Sequence, residues 1–224
     1  MTETQVQTLL GALSDVEEKN APRVLFLEGD RHLLERGLRV CVIGTRKPTR
    51  DGQVAAKRYA GFLARNGVTV VSGLAMGVDT IAHQAAIEQG GCTIAVLGTP
   101  LDQTSPRANA ELQRKIGEQH LLVSQFAPGS TVTRSNFPLR NRTMALLSDA
   151  TIIIEAGEGS GTLHQGWEAL RLGRPLFILS NVVNSGLEWP PKMLDYGAMA
   201  LSDPKELYEA LPIRMEAVGE EPAK

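Results

Sequence analysis

Arg39-Val-Cys-Val-Ile-Gly44 is a short apolar run ending on glycine, the first of a series of such runs separated by helical patterns. From Asp51 to Asn66 the apolar Val54, Ala55, Tyr59, Phe62 and Leu63 recur at helical spacing. Gly67 then stops the pattern, and Val68-Thr-Val-Val71 is a second β-branched run. The alternation continues with a helix over 77–89, a strand over 92–97, a helix over 109–118 and a strand over 121–124. A helix over 139–147, a strand over 151–154, a helix over 162–172 and a strand over 175–179 complete it. Near-continuous apolar strands separated by helices imply a sheet covered on both faces, because a half-solvated strand would alternate instead. The pattern predicts an α/β fold: a doubly wound, mostly parallel Rossmann-like sheet.

The rest of the sequence is organised around this body. Residues 1–38 read as an N-terminal extension, with an amphipathic helix over 3–17 and a short strand or hairpin arm at Arg23-Val-Leu-Phe-Leu27. Residues 39–211 form the core, and 212–224, with Glu216, Glu220 and Glu221, a flexible acidic tail. With 42% hydrophobic and 21% charged residues, the 224-residue chain supports a sizeable core, which excludes disorder as its main state. Cys41 and Cys92 both sit in apolar runs and are expected to be small buried hydrophobes, not a disulfide framework. No run approaches membrane-span length, and Met1-Thr-Glu-Thr-Gln5 lacks a signal peptide's character, so a cytoplasmic location without membrane association is expected.

Net charge is -2, but the cations are clustered. Between Gly44 and Arg58 five cations face one acid, and Arg134, Arg140 and Arg142 lie in a segment with no acid at all. A positive site on an acidic body attracts phosphate, although solvated helix faces would give the same count. In a doubly wound sheet, ligands sit beyond the C-terminal strand ends. Gly44, Thr45, Arg46 and Lys47 leave the first strand, and Ser72, Gly73 and Gly77 follow the second. Ser160-Gly-Thr162 opens a helix after a late strand, where backbone amides and the helix dipole suit an anion. This is not a P-loop, since no Lys-Ser or Lys-Thr comes after the glycines, and no G-x-G-x-x-G follows the first strand.

Catalytic and metal signals are weak. His32, His83, His120 and His164 show no ligand spacing, so no metal or cofactor is expected. Asp79 and His83 share a helix face, where a structural hydrogen bond is the more ordinary outcome than a catalytic dyad. Phe137, beside the arginines, is placed either to stack on a base or to pack beneath the basic loop.

Taken in order, Gly44-Thr-Arg46, Ser72-Gly-Leu-Ala-Met-Gly-Val-Asp79 with Ala82-His83, and Thr93-Ile-Ala-Val-Leu-Gly98 resemble the DprA/Smf DNA-processing family. So do Phe137-Pro-Leu-Arg-Asn-Arg142, Glu155-Ala156 and Ser160-Gly-Thr-Leu163, and the likeness runs over about residues 22–211. The resemblance implies a homodimeric single-stranded DNA-binding protein that loads the RecA recombinase in recombination or natural transformation, and not an enzyme. By position it implies Arg46 in the DNA pocket, Arg140, Asn141 and Arg142 contacting phosphates or bracing that pocket, and Arg107 as a further contact. It covers the Rossmann core alone, and the family's winged helix is not expected after Leu211. Departures from its pattern are Gln125, His164-Gln-Gly166, Ser180-Asn181 and Ser105-Pro106.

Two rivals stand beside this reading. Ser148-Asp-Ala-Thr-Ile-Ile-Ile154 with Gly159-Ser-Gly-Thr-Leu163 resembles the related phosphoribohydrolases and nucleotide sensors. There a glutamate pair serves catalysis, and His164 and Gln165 occupy those places here, with Glu168 one turn further on. The other rival is an interaction module docking through Trp167, Leu170 and Leu172, for most of which core burial is the expected fate.

Overall fold

The computed structural model describes residues 1–211, so the tail expected over 212–224 lies outside the described residues. Nine strands form one sheet: β1 (Thr2–Gln5), β2 (Val24–Gly29), β3 (Arg39–Ile43), β4 (Thr69–Ser72), β5 (Thr93–Leu97), β6 (Leu121–Ser124), β7 (Ala150–Ile153), β8 (Leu176–Leu179) and β9 (Met199–Leu201). Their spatial order is β1-β2-β6-β5-β4-β3-β7-β8-β9. The seven strands from β6 across to β9 run parallel, and β2 and β1 add antiparallel at the β6 edge. The strands β3, β7 and β8 carry almost no accessible side chain, as their unbroken apolar runs require.

The helices are α1 (Val6–Leu10), α2 (Asp15–Glu18), α3 (Arg50–Arg65), α4 (Val78–Glu88), α5 (Ala110–Gln119), α6 (Asn136–Leu146), α7 (Gly161–Arg171), α8 (Ser180–Val183), α9 (Trp189–Asp195) and α10 (Leu207–Ala210). From β3 to β6 the chain winds outward in one direction, then returns to lay β7 on the other side of β3. Right-handed crossovers place α3, α4 and α5 on one face and α6 and α7 on the opposite one. The sheet is therefore doubly wound, and its direction of winding reverses between β3 and β7.

Some expectations need correction. The single helix over 3–17 is replaced by β1, α1 and α2, because Gly11 (φ 76°) ends α1 and Ser14 opens α2 with a capping box to Glu17. The first 29 residues thus supply two strands of the main sheet. Helix α6 starts at Asn136, three residues before the expected start, because Pro138 falls in its first turn, where a missing N–H is harmless. Cys41 is buried as expected, and burial pushes its thiol pKa up. Cys92 is exposed, lying just ahead of β5 where the sheet ends. Leu170 and Leu172 pack against the core, but Trp167 stays 37% exposed, edge-on to the exposed Tyr196 at 5.3 Å.

A cleft at the switch point of the sheet

The reversal between β3 and β7 opens a cleft of about 600 Å³, a nucleotide-scale volume. One wall is the turn after β3, with Gly44, Thr45 and Arg46, and another is the N-terminus of α7, with Ser160, Gly161 and Thr162. Phe137, Arg140 and Asn141 enter from α6, and Asp79 from α4. These segments are stitched to one another. Thr45 N–H donates to the Glu155 carbonyl at 2.7 Å, Thr162 Oγ1 to the Gly44 carbonyl at 3.1 Å, and Asn141 Nδ2 to the Gly161 carbonyl at 3.3 Å. Ser160 caps α7, its hydroxyl accepting from Thr162 N–H. A Cβ built on Gly157, Gly159 or Gly161 meets nothing within 4 Å, so this turn is open to an approaching group.

The glycines after β4 act differently. A Cβ on Gly73 would lie 2.1 Å from the Arg140 guanidinium, and one on Gly77 (φ 82°) 2.4 Å from the Thr45 carbonyl. Both admit the chain's own groups, not a ligand. Ser72 is fully buried and donates to the Val42 carbonyl at 2.8 Å, which fastens β4 and removes it from the cleft. Ser72, Gly73 and Gly77 thus stand behind the cleft wall.

Arg140 is only 6% exposed. Its Nη1 donates to the carbonyls of Gly73 and Val96, and its Nε to Asn141 Oδ1 at 3.0 Å. It braces the ends of β4 and β5 while lining the cleft. Asp79, 5% exposed, accepts from Gly73 and Ala75 N–H through Oδ2. Burial pushes its carboxyl pKa up, against the Arg140 charge, those two N–H groups and the neighbouring Ser72 hydroxyl. Burial lowers the Arg140 pKa, and the charge of Asp79 opposes that shift. Asp79 and His83 are not a pair, because His83 turns to Thr93 Oγ1 at 2.6 Å. Asp79 was the floor residue that sequence reasoning passed over, since its spacing to His83 drew attention to the helix face and away from the glycine loop.

The other arginines divide into free and engaged groups. Arg46, Lys47, Arg50, Arg107 and Arg134 are exposed, and their side chains make no ion pair or hydrogen bond among the described residues. Arg46 lines the cleft, Lys47 follows it on the same turn, and Arg107 lies outside on the 107–109 turn that Asn109 anchors to the Leu74 carbonyl. Lys57 and Arg58 are spent on Glu88 and Asp203. Arg142 points away from the cleft to Glu168 at 3.1 Å. Glu168 also holds Arg171, so the carboxylate one turn beyond the phosphoribohydrolase glutamate positions is committed outside the cleft. Phe137 lines the cleft and packs on Gly98, where a Cβ would come within 2.6 Å of its ring. His164 also lines the cleft, Gln125 accepts from Thr143, and Ser180 meets Ser202 at 2.6 Å.

A doubly wound sheet with a polar, cation-rimmed cleft at its switch point is a Rossmann-type α/β protein. Within that class the chain belongs to the DNA recombination-mediator protein A family, whose model matches residues 10–212. It is 34% identical over 194 residues to DNA processing protein DprA of Bacillus subtilis, covering 86% of this chain and 65% of that relative. The chain therefore spans about two-thirds of that relative's length. Among solved structures it is similar to DprA of Streptococcus pneumoniae, with TM-score 0.81 and 33% identity over 93% of this chain and 73% of that one. DNA processing protein A of Helicobacter pylori, described for its single-stranded DNA binding mode, matches with TM-score 0.79 and 29% identity, covering 94% and 95%. No helix among the described residues is long and apolar enough to cross a membrane.

Proposed function

We propose that this chain binds single-stranded DNA at the switch-point cleft and acts as a recombination mediator, a binding protein and not a catalyst. The observation that carries this reading is the set of cations Arg46, Lys47, Arg50, Arg107 and Arg134, unpaired among the described residues, on the connections and the start of α3 at the cleft end of a sheet in a family that includes a single-stranded DNA binder. Arg46 and Lys47 hold phosphates at the rim, Thr45, Ser160, Gly161 and Thr162 supply neutral donors and an open turn, and Arg140 and Asn141 brace the wall. Arg107 and Arg134 extend the cationic track, while Gly44, Ser72, Gly73, Gly77 and Arg142 serve by packing. Loading of RecA onto the bound strand and a cytoplasmic location belong to the same proposal. So does a homodimer, formed through the exposed Trp167, Tyr196 and Met199 beside the β9 edge.

Fluorescence anisotropy with labelled single strands and duplexes across a salt series tests the reading. Tight, salt-sensitive binding that favours single strands supports it. Equal affinity for duplex, or none at low salt, refutes it. A strand-exchange assay with RecA and sedimentation of a Trp167→Ala, Tyr196→Ala double variant address the partner and the dimer.

A further inference from the structure

The loop between β4 and α4 is held by side chains at almost every backbone group. The carbonyls of Gly73, Leu74 and Ala75 accept from Arg140, Asn109 and Thr80, and the N–H groups of Gly73 and Ala75 donate to Asp79. Leu74 sits at φ 56°, in the left-handed region that residues with a Cβ seldom occupy, with its side chain fully buried. Strain of this kind persists only where the surroundings over-determine the backbone. What the loop displays is Met76, which is 45% exposed at its tip and lies outside the cleft lining, although its neighbour Ala75 belongs to that lining. On one side Gly77 lies against the Thr45 and Arg46 backbone, and Val78 N–H donates to the Thr45 carbonyl at 3.2 Å. On the other, Asn109, which closes the Arg107 turn, donates to the Leu74 carbonyl and to Thr80 Oγ1. Met76 therefore stands on the rim between the turns that carry the exposed Arg46 and Arg107.

We propose that Met76 is a shelf outside the cleft for the face of one nucleobase, so that a bound strand runs from Arg46 across Met76 to Arg107. The proposal deepens the single-stranded DNA reading and rests on it. A phosphate finds nothing to hold at a thioether, which offers no donor, and the strand's phosphates go to the arginines on either side. A base face fits: sulfur and methyl against an aromatic ring are favourable, and the unbranched side chain adapts to purine and pyrimidine alike. The pinned loop keeps the cost of binding low, because only the side chain's own freedom is lost when the base settles. In a duplex both faces of an interior base are covered by stacking, so the shelf selects single strands by their free base faces.

The test uses the full chain with its methionine methyl groups labelled for NMR, and two strands of equal length and phosphate count, oligoadenylate and its abasic counterpart. The Met76 methyl resonance, assigned by substitution, should move upfield and saturably with oligoadenylate through the ring current of the base. With the abasic strand it should stay in place. By anisotropy Met76→Ala should bind oligoadenylate about two- to tenfold more weakly, with the salt slope unchanged and the abasic strand bound as by the wild type. Met76→Leu, which keeps an apolar shelf, should recover most of the loss. Equal oligoadenylate affinity for the wild type and Met76→Ala, or equal methyl shifts with both strands, overturns the shelf and leaves strand binding intact. If neither strand binds at low salt, the shelf falls together with the DNA reading.

Discussion

Mild acid should destabilise this protein through His83. The ring lies on α4 with no accessible surface, and its Nδ1 is 2.6 Å from Thr93 Oγ1. Thr93 donates its one hydroxyl proton to the Val70 carbonyl at 2.8 Å, so Nδ1 must carry the hydrogen shared with Thr93. The other nitrogen, Nε2, is buried with no partner, and a proton placed there would have no acceptor. Burial, with the His120 and Arg140 charges adding to it, holds the His83 pKa down to about 3, against 6.5 for the free side chain. The folded-state value is the lower one, so between those limits the unfolded chain binds a proton that the folded chain refuses. Stability is then full above pH 6.5 and falls as the pH drops toward 3. At about 1.4 kcal/mol per pH unit, moving from about pH 7.5 to about pH 5 costs about 2 kcal/mol through this residue. Urea unfolding of the wild type and His83→Gln at both pH values measures it. The variant can be less stable at the higher pH, but its acid loss should be smaller by about 2 kcal/mol. Equal acid losses in the two proteins would refute the tautomer and burial reasoning together.

Three further outcomes are expected from the geometry. Gly73→Ala drives a methyl into the Arg140 guanidinium and should cost about 1–3 kcal/mol in chemical denaturation. Arg46→Glu should weaken single-strand binding across sequences alike and lower the salt slope by about one, which anisotropy at several salt concentrations reads directly. Glu168→Ala leaves Arg142 and Arg171 without their carboxylate and should destabilise by about 1–3 kcal/mol, with strand affinity almost unchanged because Glu168 is outside the cleft.

The strands were legible because a parallel strand buried on both faces has little choice but to be β-branched and apolar, as in Arg39–Ile43 and Ala150–Ile153. β1 was not, since Thr-Glu-Thr-Gln at a solvent-facing edge has no apolar signature and owes its conformation to pairing with β2. At the site, chain order placed the loops after β3 and β7 in the cleft, but a sequence does not say which way a side chain turns. Ser72 looked like a ligand group and proved to be a strand fastener. Arg140 and Arg142 stand two apart on α6 and diverge, one under the sheet ends and the other toward Glu168. The acceptors of Arg140 lie 67 and 44 residues away, a reach that no local pattern encodes.

The seat of β2 in the sheet also constrains the order in which the molecule is assembled on the ribosome. Strands β4, β5 and β6 find partners as they emerge, each beside the one before. Among the described residues β2 pairs only with β1 and with β6, and the β6 partners of Phe26–Gly29 lie 92 to 98 residues further along. Until then β1 and β2 are a lone two-stranded ribbon, which is marginal in water. At ordinary synthesis rates that interval is about 5–20 s. The β1–β2 ribbon therefore waits, exposed, for a later strand to give it a place.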